Sequence, residues 1–340
     1  MHNGMFIFDN VVHMYDNTAG NVIDPLAMNY QVGMRRRMPK LAIDPEGLKG
    51  RKVEVEEAVE YLFKIAPTDM AVAQTVPLYS YWEDGFAPAP LQYALKQAVP
   101  DRVVYCGAVD PIFHGLRGSI KELERQRHEW GAISFKFYQA HKGGLHWSAS
   151  DRLIAYPLFE KCQELGINHI QFHKGVPLGQ EFVEHLRPND LQRAAMDFPD
   201  LTFIIHHFGV PYVDETINIA SRFENVWLSL SFIINMIPLS PWTVYDAVGK
   251  ALLQVGADRI LYGSESFLWP DPRAYIESFA ALEIPDDLQD RYGYPQITES
   301  MRKKMFGLNQ AKLLGIDVEA KLKQLYPDID PKVAAAAAVA

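Results

Sequence analysis

Four residues invite a chemical reading: His13, His173, His207 and Glu265. Each follows a short run rich in apolar and β-branched residues, such as MFIFDNVV before His13, HIQF before His173 and RILYGS before Glu265. The chain has only 11 histidines, so three at such places is a concentration. Neutral imidazoles and a carboxylate are donors that hold Zn or Mn, with one coordination position left for water or substrate. A metal held there polarises a substrate oxygen or lowers the pKa of a bound water to roughly 7. The same groups can also work without a metal, as proton donors and acceptors. A single histidine at a strand end is more often a hydrogen-bonded core residue than a ligand, so it is the set that counts.

Three cations are candidate anchors for a substrate anion: Lys136 near the end of AISFKFY, Lys174 directly after His173, and Arg36 at the centre of the run Arg35, Arg36, Arg37. Their ordinary readings are an internal salt bridge for the lysines and a solvated face for the arginines. His206 adjoins His207, and neighbours on a strand point to opposite faces, so only one of the two is expected to point inward. Asp110, Ser229 and Ser231 fall at further run ends.

These residues need a frame that gathers run ends in one place. Eight strand candidates cover 5–12, 70–76, 102–109, 132–138, 169–172, 201–207, 225–231 and 259–264. Between them lie segments with helical apolar spacing, at 53–66, 120–130, 153–166, 189–199, 213–223 and 244–256. Strand–helix alternation repeated about eight times predicts a parallel sheet, and over this length a closed (β/α)8 barrel in one domain spanning 1–330. No GxGxxG follows the first strand, which speaks against a dinucleotide fold. In a barrel, side chains at the C-terminal ends of the strands share one mouth. The long segments 16–52 and 264–298 are expected to cover it as lids. Tyr15, Tyr138, Trp147 and Trp269 are placed to stack on a ring. The Ala-rich end, 331–340, reads as a frayed helical tail.

With these residues in order along the chain, the sequence resembles the amidohydrolase-related proteins of the aminocarboxymuconate-semialdehyde decarboxylase type, within the metal-dependent hydrolase superfamily. FDNVVHMYD (8–16) resembles their first-strand Asp-x-His-x-His motif, IQFHKG (170–175) their strand-5 metal histidine, and FIIHHFG (203–209) their strand-6 segment. ILYGSES (260–266) resembles the strand-8 Gly-Ser-Asp motif, and GLNQAKLLGID (307–317) the closing helix. The resemblance implies that His13, His173 and Glu265 are metal ligands, that His207 is the catalytic acid/base, and that Glu265 binds metal or activates water. It also implies a homodimer. Two positions depart from the pattern: Val11 stands where the first histidine of the pair belongs, and Glu265 where an aspartate does.

The bulk composition narrows the rest. With 48% hydrophobic residues the chain can bury a large core, and a net charge of -9 speaks against nucleic acid as partner. No run of eighteen apolar residues suggests a membrane span. Cys106 and Cys162 are too few for a disulfide framework. The chain reads as a cytoplasmic enzyme with a small-molecule substrate. The expected function is metal-assisted decarboxylation or hydrolysis of a small organic acid, aromatic for preference. The alternative is a barrel that has lost its metal, with Val11 as the sign, and that works by acid–base chemistry or binds a small molecule.

Overall fold

The computed structural model describes residues 1–37, 49–268 and 271–340. Eight parallel strands follow one another in chain order: β1 (Phe8–Val12), β2 (Met70–Gln74), β3 (Val103–Gly107), β4 (Ala132–Phe137), β5 (His169–Phe172), β6 (Thr202–Ile205), β7 (Val226–Ser229) and β8 (Ile260–Leu261). Parallel neighbours need a crossover between them, and helices supply it on the outside. β8 is short, but the chain beyond it runs on along β1. Asn10 N donates to Tyr262 O at 2.9 Å, Glu265 N to Val11 O at 3.1 Å, and Phe267 N to His13 O at 3.0 Å. These bonds complete the (β/α)8 barrel.

Alternation along each strand separates two kinds of side chain. Phe135, Phe137, Ile170, Phe172, Phe203 and Ile205 pack with Leu123, Leu158 and Phe159 of the surrounding helices. The other face looks into the barrel and is polar. Gln74 Nε2 donates to Gln171 Oε1 at 2.9 Å, and Gln171 Nε2 reaches Ser134 Oγ at 3.4 Å. The register sets Lys136 directly beside Gln171 on this inner face. A hydrophobic cluster of Phe6, Phe8, Val72 and Cys106 lies at the opposite end from the mouth, against residues of the last helices.

Those last helices correct the expectation of a frayed tail. Residues Pro331–Ala337 form a helix whose first turn is capped by Asp330, which accepts from Lys332 N at 2.8 Å. Ala334 and Ala337 are fully buried in the cluster with Phe6 and Phe8. Alanine has no bulk to keep a helix at a distance, so the Ala-rich composition favours close packing. The helix expected at 120–130 begins at Pro111, because the Asp110 carboxylate accepts from Ile112 N at 2.9 Å and a proline is favoured in the first turn. No helix among the described residues is long and apolar enough to cross a membrane.

One buried carboxyl joins the first and last strands. Asp9 Oδ1 accepts from Val11 N at 3.0 Å and from Ser264 N at 2.9 Å, while Oδ2 is buried without a partner. Burial pushes its pKa up to about 7, from an ordinary value of 3.8. Between those two values the folded chain keeps a proton that the unfolded chain has lost, so stability falls as pH rises through this window. Asp9→Asn keeps the accepting oxygen and removes the buried charge. It is expected to raise the melting temperature at pH 8 and leave it nearly unchanged at pH 4, read by scanning calorimetry. A loss of stability at both pH values would contradict this.

Candidate active site

β1, β5, β6 and the chain after β8 bring four of the singled-out residues together at the C-terminal end of the barrel. Glu265 stands between two imidazoles: its Oε1 is 3.6 Å from His13 Nε2, and its Oε2 is 3.6 Å from His207 Nδ1. His207 Nε2 lies 3.0 Å from His173 Nδ1. The surrounding acceptors settle the proton positions. A backbone carbonyl only accepts, so His13 Nδ1 donates to Gln74 O at 2.8 Å and His173 Nε2 donates to Val176 O at 2.9 Å. His173 Nδ1 is then the acceptor of the His207 Nε2 proton. His207 Nδ1 accepts in turn from the Ser231 hydroxyl at 3.1 Å.

The backbone holds these groups in unusual conformations. Seven described non-glycine residues have positive φ, and six of them, Leu78, Val176, His207, Phe208, Phe232 and Glu265, lie in the loops after β2, β5, β6, β7 and β8. Such conformations cost of order 1–3 kcal/mol each and persist where the surrounding structure holds them. At β6 they alter the expected geometry. The strand ends at Ile205, and φ of 60° at His207 and 48° at Phe208 turns the chain at once. Strand alternation therefore no longer applies, and both histidines reach the interior. His206 Nε2 meets Gln171 Oε1 at 2.6 Å. The expectation that only one of the pair points inward is corrected by this turn.

Lys136 lies at the centre of the charge pattern. It is fully buried, its Nζ has no hydrogen-bond partner, and it sits 5.2 Å from the Tyr138 ring. Burial lowers its pKa to about 8, with Glu265 acting in the opposite direction. Burial likewise takes His207 down to about 4 and His13 below the ordinary range. Burial alone would raise Glu265, but His207, His13 and Lys136 hold it well below the usual carboxylate range. At neutral pH the site therefore contains one carboxylate, one ammonium and neutral imidazoles.

Above the cluster lies a pocket with mostly apolar walls. Tyr15, Val76, Phe86, Tyr138, Leu178 and Phe232 surround it, and His173, His207 and Glu265 supply its polar atoms at the strand ends. Tyr138 stacks on His173 with ring centroids 4.7 Å apart. Both expected lid segments contribute. α1 (Leu26–Arg37) brings Tyr30, Gln31 and Met34, and the chain after β8 brings Leu268.

Other candidates lie elsewhere. Lys174 is buried, but its Nζ donates to Asp190 Oδ1 at 2.6 Å and to Arg187 O at 3.0 Å, which occupies it within the fold. Arg36 lies on the exposed side of α1 and does not line the pocket. Trp147 packs edge-on against Phe137 in the core, with centroids 5.7 Å apart. Trp269 lies outside the described residues. Gln31 and Phe232 also line the pocket, and no motif in the sequence marks either. Gln31 could have been found as the one polar residue in the buried stripe of α1, whereas Phe232 comes to the pocket through a loop turn that no periodicity signals.

In the arrangement seen here, His13, His173 and Glu265 are not grouped as a metal site. His173 donates through Nε2 to Val176 O, which leaves Nδ1 as its one free lone pair, and His207 Nε2 donates to that nitrogen at 3.0 Å. Val11 offers no donor and packs so closely that a Cβ on Gly263 would come within 2.7 Å of it. His13 Nε2 and Glu265 remain, and among the described residues no three His, Cys, Asp or Glu side chains are grouped to hold a metal ion. The buried Lys136 ammonium acts electrostatically on Glu265 with no ion pair between them.

Comparison with solved structures agrees with this fold. A TIM-barrel protein from Bordetella bronchiseptica is 20% identical, with a TM-score of 0.67 over 92% of this chain and 99% of its own. A dihydroxybenzoic acid decarboxylase from Polaromonas, solved with manganese and the inhibitor 2-nitroresorcinol, is 15% identical, with a TM-score of 0.60 over 92% and 97%. A probable 2-pyrone-4,6-dicarboxylic acid hydrolase from Acinetobacter baumannii is 13% identical, with a TM-score of 0.58 over 92% and 100%. No curated protein matches the chain. The amidohydrolase family model matches residues 56–316, which leaves out β1 with Val11 and His13. With that match over most of the barrel, the chain belongs to the amidohydrolase family.

Proposed function

We propose that this protein decarboxylates a small aromatic carboxylic acid without an oxidant, using its own acid–base groups and the Lys136 ammonium instead of a protein-held metal. The observation that supports this most is Lys136 itself: a buried ammonium with no hydrogen-bond partner, its Nζ 5.2 Å from the ring of Tyr138, which lines the aromatic-walled pocket. An unpaired buried charge is costly, so a site that keeps one is suited to an arriving counter-ion. The substrate carboxylate is that counter-ion, and Tyr15, Phe86, Tyr138 and Phe232 flank its ring.

In this reading His207 is protonated at Nδ1, the nitrogen that faces Glu265 Oε2 at 3.6 Å, as the substrate arrives, and the reacting carbon takes that proton. The C–C bond then breaks, its electron pair stays with the ring, and CO2 leaves. The arriving anion raises the proton affinity of His207, so substrate and proton enter together. Mostly apolar walls favour the step, because a carboxylate becomes a neutral product. His13 and His173 orient the carboxylate of Glu265 and the ring of His207. Support from relatives is of a general kind: the structural neighbours include decarboxylases and hydrolases of aromatic or unsaturated acids.

A panel of hydroxybenzoic and related acids, incubated with chelator-treated protein and followed by CO2 release and proton uptake, tests this. One proton consumed per CO2 is expected, with turnover unaffected by the chelator. Turnover of lactones or esters with no CO2 from any acid would replace the decarboxylase with a hydrolase.

A further inference from the structure

α1 has a buried stripe formed by Ala27, Met28, Gln31 and Val32, the spacing expected of a helix face turned to a core. Gln31 is the one polar member. It is fully buried, it lines the pocket, and neither its Nε2 nor its Oε1 has a hydrogen-bond partner. Two buried amide atoms without partners are costly in a free protein. The cluster at the strand ends does not satisfy them, so they form a second polar point in the pocket, separate from His173, His207 and Glu265. Tyr30, Met34 and Leu268 line the same pocket.

We propose that Gln31 is a specificity residue that hydrogen-bonds a neutral donor–acceptor group on the substrate, set apart from the reacting carboxylate. A primary amide offers one donor and one acceptor side by side, so its complement does the same. A carboxamide or a hydroxyl on the ring fits. A second carboxylate does not, because it only accepts and would oppose Oε1. The substrate is therefore a monoanionic aromatic acid with a neutral polar substituent, not a dicarboxylate. This rests on the reading of the pocket as an aromatic-acid site.

The test is calorimetric binding of benzoate, of benzoates bearing a carboxamide at ring position 3 or 4, and of terephthalate. The wild-type protein is expected to prefer one of the carboxamides over benzoate by about tenfold to a hundredfold, as satisfaction of a buried polar pair allows. It is expected to bind terephthalate no better than benzoate. In Gln31→Leu the preference should fall to about one, with benzoate binding retained. Gln31→Met, close to the native length, should do the same and guards against a packing fault in the leucine variant. Both variants should melt at or above the wild-type temperature, since two unsatisfied buried atoms are gone. If no aromatic acid binds the wild type, the aromatic-acid reading falls. If the acids bind and neither substitution changes their ratio, the assignment of Gln31 alone is overturned.

Discussion

Lys136→Met is expected to raise KM for an aromatic carboxylate by about a hundredfold or more and, in the same protein, to raise thermal stability. The two effects have one cause. The ammonium is buried without a partner, and its pKa falls from 10.5 to about 8. A drop of that size places the charged form about 3 kcal/mol out of favour in the fold. Methionine fills similar space without charge and removes that cost. It also removes the counter-ion for the substrate, and a hundredfold loss corresponds to about 2.7 kcal/mol of binding. The pH dependence has a definite sign. Below about 8 the ammonium is present and the anion binds. Above it the charge is lost, so the wild-type KM rises while that of the variant stays flat. From 8 to 10.5 the unfolded chain binds the proton that the folded chain has released, so wild-type stability climbs and the gap to the variant narrows. Steady-state kinetics from pH 6 to 10 and melting curves over the same range check both. A variant less stable than wild type, with unchanged KM, would show that Lys136 is structural.

The second large effect is expected from Glu265→Gln. The amide keeps the shape and the backbone position but cannot exchange a proton with His207. A fall in kcat of about 10²- to 10⁴-fold follows from loss of an acid–base partner. Glu265 also raises the pKa of Lys136. Its removal should therefore shift the rise in KM to lower pH, a change that a merely structural residue would not produce. A kcat within tenfold of wild type, with the pH profile unmoved, would remove Glu265 from the chemistry.

The frame of this site was legible because barrel strands announce themselves by composition, and because strand ends in a barrel converge. His13, His173, His207 and Glu265 were reached in that way, and Lys136 by its place near the end of β4. The misreadings have local physical causes. Alternation allows only one of His206 and His207 to face inward, and it fails where φ turns positive just past Ile205. Lys174 resembles an anion anchor until the fold brings Asp190 to it from sixteen residues away. What the sequence does not show is which lone pairs are engaged: His207 Nε2 donates to His173 Nδ1, the one lone pair that histidine has left. Gln31 was missed because an isolated glutamine has no signature until the helix around it is seen to be buried.

The central question is whether a protein cation, and no metal, receives the substrate carboxylate. The most direct measurement is calorimetric binding of benzoate at pH 7 to chelator-treated wild-type protein, to Lys136→Met, and to each after addition of manganese. Binding by the metal-free wild type, lost in the variant and indifferent to manganese, is the predicted result. Wild-type binding that appears only with manganese, or binding that survives the loss of Lys136, would contradict it.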